Sequence, residues 1–185
     1  ADYTDRNTCV LFGDGAGAAV VSEVPEGYGI LSSYIAADGR GGELLMQPAG
    51  GSRKPASKDT VEQKLHYIKM DGSEVFKFAI KIMGEAAEKA LTACGLAKED
   101  VDCLIPHQAN IRIIDSAVKR LKISPEKVYI NVNKYGNMSS ASIAVALDEA
   151  NRSGFLKDGE VVVLVGFGGG LTWGSTVFKW KSIGR

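Results

Sequence analysis

The chain has 185 residues, 45% of them apolar, and its 22 basic and 22 acidic side chains cancel to a formal charge of zero. That balance argues against a protein built mainly to bind nucleic acid, which would carry a basic excess. The longest apolar run, Val161 to Phe167, falls far short of the roughly 20 residues of a membrane-crossing helix. At roughly 150 residues per domain the length suggests one domain or a little more, able to bury a core without staples. The polar start, Ala1 to Arg6, has no apolar stretch of the kind a secretory signal needs. Three cysteines, Cys9, Cys94 and Cys103, form no CxxC pair. Unpaired thiols of that kind fit a reducing cytoplasm. His66 and His107 lack the paired spacing of a metal site. Glycine is the outlier, 22 residues in all. They cluster between apolar runs, which marks tight turns and close backbone approaches.

In chain order, Thr8 to Phe12 and Ala18 to Val21 read as two short strands around Gly13-Asp14-Gly15-Ala16-Gly17. The GxGxG spacing and the absence of a following helix argue against a dinucleotide loop, whose pyrophosphate needs a helix N-terminus. Gly29 to Ala36 is a further strand. Ala37 to Tyr67 is a long irregular excursion of the kind that often covers a site. Asp71-Gly72-Ser73-Glu74 has capping-box spacing, and Val75 to Leu91 follows with helical periodicity, closed by Gly95. Val101 to Ile105 is a strand that turns at Pro106-His107-Gln108-Ala109-Asn110. A helix from Asn110 to Lys122 follows, with Ile111, Ile114, Val118 and Leu121 as its apolar face. Val128 to Val132 reads as a strand and Tyr135-Gly136-Asn137 as its turn. Ser139 to Ser153 is a helix packed through small residues. Val161 to Val165, a bend at Gly168 to Gly170, and Thr172 to Trp180 close the chain as two strands. Alternating strands and helices predict an α/β sheet with helices on its faces, and chemistry at the loops beyond the strand ends.

Three such loops carry His107, Asn137 and the triple glycine. A neutral imidazole and an amide from neighbouring loops offer two hydrogen-bond donors, suited to stabilising an oxyanion or enolate. No nucleophile accompanies them. Cys103 lies four residues before His107 on an extended strand, Cys94 lies on an apolar helix face, and Cys9 lies in a strand. None has the electropositive neighbours that depress a thiol pKa.

Phe12-Gly-Asp-Gly-Ala-Gly-Ala18, Pro106-His-Gln-Ala-Asn110, Gly136-Asn137 and Phe167-Gly-Gly-Gly170 together resemble β-ketoacyl-acyl-carrier-protein synthase III. The resemblance runs along the whole chain but covers only the C-terminal portion of that enzyme, a little over half. It implies a thiolase-like α/β fold, a layered αβαβα duplication when complete. Residues 1–25 would end the first half and residues 26–185 would form the second. The family's nucleophilic cysteine belongs to the first half and would lie outside this chain, which starts without a methionine as a fragment would.

The resemblance also implies roles. His107 and Asn137 match the catalytic donors that hold the malonyl thioester carbonyl, and Gly169 matches a backbone donor of the oxyanion hole. Gln108, Ala109, Asn110, Ile111, Arg112, Lys119 and Arg120 would meet acyl carrier protein. Arg6, Gly72, Phe76, Ala109, Asn110 and Ile113 would meet coenzyme A or phosphopantetheine. No cofactor or metal is expected, since acyl-coenzyme A and malonyl-acyl carrier protein are substrates, and the complete enzyme would be a cytoplasmic homodimer. The chain departs from the family at Met138 and Ser140, where Thr and Ala are common, and at Ser73, where Asn is. The Ala49 to His66 loop also looks longer. The activity implied is a decarboxylative Claisen condensation that starts fatty acid synthesis. Two rivals are a related polyketide-type synthase and a carrier-protein-binding module without chemistry.

Overall fold

The structure is a computed structural model, and it describes residues 1–182. In chain order the elements are strand β1 (Gly29–Ala37), strand β2 (Leu45–Met46), helix α1 (Lys58–Glu62), strand β3 (Lys69–Met70) and helix α2 (Gly72–Ala93). Then come strand β4 (Cys103–Pro106), helix α3 (Ile111–Leu121), helix α4 (Val132–Tyr135), helix α5 (Ala141–Arg152), strand β5 (Val161–Gly168) and strand β6 (Thr172–Lys179). The main sheet has the order β1-β6-β5-β4. β4 and β5 pair in parallel, and β6 pairs antiparallel with both β5 and β1.

β5 explains the layering. Its run of Val161 to Val165 is apolar at every position, as befits a strand covered on both faces. Val163 and Val165 join the core under α2 and α3, whereas Val162 packs with Cys103, Ile105, Ala146 and Ala150 under α5. α2 starts where Asp71 accepts a hydrogen bond from the Glu74 N–H (3.1 Å), and the chain leaves it through Gly95 at φ 74°. Its buried stripe, Val75, Ala79, Ile82, Met83, Ala86, Ala87, Ala90 and Leu91, has the helical repeat read in the sequence. α3 is capped by Asn110, whose side chain accepts from the Arg112 N–H (2.8 Å), and it closes on Lys122 in the left-handed region. α5 approaches the sheet through Ser142, Ala146 and Ala150, one small residue per turn.

Several expectations need correction. The strands foreseen at Thr8 to Phe12 and Ala18 to Val21 do not form. Asp2 and Asp5 accept from the nearby Thr4 and Asn7 N–H groups, and these local bonds fold the first residues into turns. Beyond Gly13 the chain finds no strand to pair with, and Val20 and Val21 stay exposed. Cys9 therefore lies in a turn, not a strand.

Val128 to Val132 is not a strand either. It makes one parallel bridge, Val128 to Leu104, and the Asn131 and Val132 N–H groups then donate to the Gln108 side chain. Ile111 lies outside the apolar face of α3 and is exposed; Ile113 and Ala117 are buried in its place, beside Ile114, Val118 and Leu121. Cys94 is half-buried as the residue that caps α2, not part of a buried helix face.

Pro106 at the end of β4 pairs with Val165, Gly168 ends β5, and Ala37 at the end of β1 pairs with Thr172. These chain ends gather at one end of the sheet, and the candidate site lies there.

Candidate active site

His107 follows β4 directly. Its N–H donates to Val165 O (2.7 Å), so the parallel pairing continues one residue past the strand and fixes the backbone. The side chain is 9% exposed. Its Nδ1 lies 2.6 Å from Ser142 Oγ, and the ring stands edge-on to Phe167 with centroids 5.6 Å apart. Burial pulls its pKa down to about 4, because the charged ring would lose its water. The imidazole is therefore neutral at pH 7.

The next residue holds the loop. Gln108 is fully buried, and its amide makes four hydrogen bonds. Nε2 donates to Pro106 O (2.7 Å) and Tyr129 O (3.2 Å), while Oε1 accepts from the N–H groups of Asn131 (2.9 Å) and Val132 (3.1 Å). It cannot also meet a protein partner at the surface, so the reading of Gln108 as a carrier-protein contact is withdrawn.

Asn137 is presented by a different device. Gly136 adopts φ 67° and ψ −159°, a region open to little but glycine, and an added Cβ would sit 3.1 Å from Leu11 O. The Asn137 backbone then bridges to the first segment: its N–H donates to Leu11 O (2.9 Å), and its carbonyl accepts from the Gly13 N–H (3.0 Å). The side-chain Oδ1 accepts from the Ser139 N–H (2.9 Å). With its acceptor end occupied, the amide has its Nδ2 donor left for a ligand. Gly169, exposed after β5, completes the set; a Cβ there would come within 3.0 Å of Leu45 O.

One cleft of about 1770 Å³ is lined by His107, Asn137 and Gly169, with Phe76, Asn110 and Ile113 along its wall. Gly72 and Ala109 also line it. Arg6 is exposed and does not line the cleft, although its neighbours Asp5 and Asn7 do. Ile111, Arg112, Lys119 and Arg120 lie on the exposed side of α3, where Arg120 pairs with Glu85 (3.2 Å).

None of the three cysteines lines the cleft. Burial first, and then the charges of Glu160 and Asp102, push the Cys103 thiol up to about 12. Among the described residues, no group of three or more His, Cys, Asp or Glu side chains is placed to hold a metal ion. Nor is any helix there long and apolar enough to cross a membrane.

The family model for the C-terminal domain of 3-oxoacyl-acyl-carrier-protein synthase III matches residues 91–180, and the companion synthase III model matches residues 1–39. A synthase III from Caldanaerobacter subterraneus is 63% identical over 97% of this chain and 54% of its own length. The chain belongs to the β-ketoacyl-acyl-carrier-protein synthase III family. Another such synthase, from Desulfitobacterium hafniense, is 62% identical over 99% of this chain and 55% of its own length. A solved synthase III from Thermus thermophilus superposes with a TM-score of 0.87 at 44% identity, over 99% of this chain and 56% of that one. The synthase III from Aquifex aeolicus gives 0.83 at 42% identity, over 95% and 52%. The fold is thus the thiolase-like α/β fold, and the chain spans about half the length of the synthase III relatives it matches.

The sequence singles out His107 and Asn137, which the structure brings to one cleft, but not the groups that hold them. Ser142 carries a signal after all, as the one polar member of the buried stripe it forms with Ala146 and Ala150. Gln108 carried a misleading one, since a glutamine in a loop beyond a strand end reads as a surface contact.

Proposed function

We propose that this chain supplies the decarboxylating half of a β-ketoacyl-acyl-carrier-protein synthase III site. Residues 1–25 end a first thiolase-like half and residues 26–185 form the second, with the nucleophilic cysteine on a preceding part of the polypeptide. That thiol attacks a short acyl-coenzyme A; its S–C bond forms, the coenzyme A thiolate leaves, and the Gly169 N–H stabilises the oxyanion between. Malonyl-acyl carrier protein enters next. Its carboxylate leaves as carbon dioxide, and the bonding pair passes into an enolate whose oxygen accepts from His107 Nε2–H and Asn137 Nδ2–H. The enolate carbon attacks the acyl thioester, the cysteine thiolate departs and takes up a proton, and β-ketoacyl-acyl carrier protein is released.

The observation that carries this reading is the pair of donors on one cleft, each with its other polar atom already bonded. Such preorganised donors act on charge as it develops, without having to reorient. Phe76, Asn110, Ile113, Gly72 and Ala109 would wall the phosphopantetheine tunnel, with Arg6 near the adenine end. Ala109, Asn110, Ile111, Arg112, Lys119 and Arg120 would face an acidic carrier protein. The complete enzyme would be a cytoplasmic homodimer without a resident cofactor. A priming β-ketosynthase from the R1128 polyketide pathway superposes with a TM-score of 0.79 at 34% identity, over 98% of this chain and 53% of that one. The identities above 60% to synthases III favour the fatty-acid reading over that one.

The test uses the chain joined to the cysteine-bearing first half of a relative. Asn137→Ala should slow decarboxylation of malonyl-carrier protein by about 100-fold or more, the scale for one lost oxyanion donor. Acyl transfer to the cysteine should change much less, and equal losses in both steps would end the assignment. Arg112→Glu should raise the KM for carrier protein, more at low salt, where screening is weak. An unchanged KM would leave the exposed side of α3 as a solvated surface.

A further inference from the structure

Ser142 lies in the first turn of α5 and is fully buried. A hydroxyl there must find partners, and it has two: the His107 Nδ1 atom at 2.6 Å and the Gln108 N–H at 3.3 Å. The Gln108 N–H can only donate, so it occupies a lone pair of the serine oxygen. Among the described residues Ser142 Oγ makes no third hydrogen bond. Its own proton therefore has one acceptor to point at.

We propose that Ser142 is a positioning residue that fixes His107 as the Nε2–H tautomer by donating its hydroxyl proton to Nδ1. In the opposite tautomer Nδ1–H would donate to the serine, and the oxygen would accept twice. Its own hydrogen would then be buried with no acceptor, an arrangement that native interiors rarely tolerate. The burial that keeps the imidazole neutral also leaves the choice between tautomers to its neighbours.

The consequence for the cleft is one of polarity. With Nδ1 engaged, Nε2 is the ring nitrogen left for a ligand, and it carries a hydrogen. The other tautomer would aim a lone pair at a carbonyl oxygen and repel it. Ser139 and Ser142, three residues apart, thus set the polarity of both donors: one through its N–H on Asn137 Oδ1, the other through its hydroxyl on His107.

The tautomer assignment stands apart from the proposed function, and only its kinetic effect rests on that reading. The experiment uses the chain joined to the first half of a relative and labelled with 15N-histidine. Two-bond 1H–15N correlation spectra at neutral pH read the tautomer, and His107→Gln identifies the His107 signals by their loss. The unaltered protein should give the Nε2–H pattern; an Nδ1–H pattern overturns the proposal without any variant having to fold. Ser142→Ala should raise the ratio of Nδ1–H to Nε2–H roughly fivefold, the scale of one lost neutral hydrogen bond. Ser142→Thr, which keeps the hydroxyl, should restore the original ratio. An unchanged pattern in Ser142→Ala would return the serine to a packing role and overturn the proposal. In parallel, kcat for malonyl decarboxylation should fall in Ser142→Ala in proportion to the Nε2–H fraction that the spectra show to be lost, at unchanged KM, and recover in Ser142→Thr. A tautomer shift without that fall would count against His107 as the enolate donor while upholding the role of Ser142.

Discussion

The loop carrying His107 and the turn carrying Asn137 open on the same cleft, yet they are held there by different means. His107 follows β4, the edge strand that pairs in parallel with β5, its ring buried, with the four bonds of Gln108 beside it. Asn137 is half-buried on a turn that exists because Gly136 has no side chain, and its backbone leans on Leu11 and Gly13. Those partners belong to a segment that contributes little to the core. One donor is thus set by the stability of the whole sheet, and the other by a local contact that can change while the sheet stays intact. A site with two donors on one cleft does not have two equally robust donors.

Three experiments separate the two modes, from the largest expected effect down. Gln108→Ala would remove four hydrogen bonds, two buried and two part-buried, at roughly 1 kcal/mol each, so stability should drop by up to about 4 kcal/mol. Chemical denaturation measures it, and a loss under about 1 kcal/mol would show that water or a backbone shift replaces the amide.

Acid should act on the His107 loop next. Its folded pKa of about 4 lies below the ordinary 6.5, so as pH falls the unfolded chain takes the proton first. The stability at stake is full above pH 6.5, declines as pH falls toward about 4, and is level below that for this group. The total is on the order of 3 kcal/mol at about 1.4 kcal/mol per unit. His107→Gln should flatten the decline between pH 6.5 and 5, above the range where carboxylates titrate. Parallel curves for the two proteins would mean that the ring is not desolvated as described.

Gly136→Ala is the smallest of the three. Forcing a side chain into that backbone region costs about 1–3 kcal/mol. It should displace Asn137 and slow decarboxylation, yet leave the acid limb of the stability curve where it was. If that limb moved as well, the two loops would be one mechanical unit and the contrast drawn here would fail.

The sequence reveals these regions unequally, for physical reasons. α2 was legible because it writes its own boundaries, with the Asp71 to Glu74 spacing as cap and Gly95 as stop, and α3 because of its apolar repeat after the Pro106 turn. β5 was legible as an unbroken Val-rich run. Val128 to Val132 has the same local character, but a side chain from a distant loop takes its backbone donors, and no local pattern announces that. Thr8 to Val21 likewise has strand-forming residues without a strand to meet. Of the cleft, the chemically distinctive residues His107, Asn137 and Gly169 stood out in the sequence, and the fold gathers them. Ser142 left only the faint mark of a polar residue in a small-residue stripe, and Gln108 a misleading one, because their work depends on which loops the fold brings together.

The order of the sheet has a consequence for how the chain is made. β1 is the first strand of the main sheet to be synthesised, and its one neighbour there is β6, the last. Ser33 and Thr176, bonded across that pair at 3.1 Å, are separated by 143 residues. At translation rates of about 5–20 residues per second, the strand waits on the order of ten seconds for its partner. Throughout that interval β1 lacks the strand it pairs with in the folded sheet, and an unpaired strand edge is open to neighbouring nascent chains. The yield of folded protein should therefore respond to translation speed and to chaperones that shield extended segments, through β1 more than through any residue of the cleft.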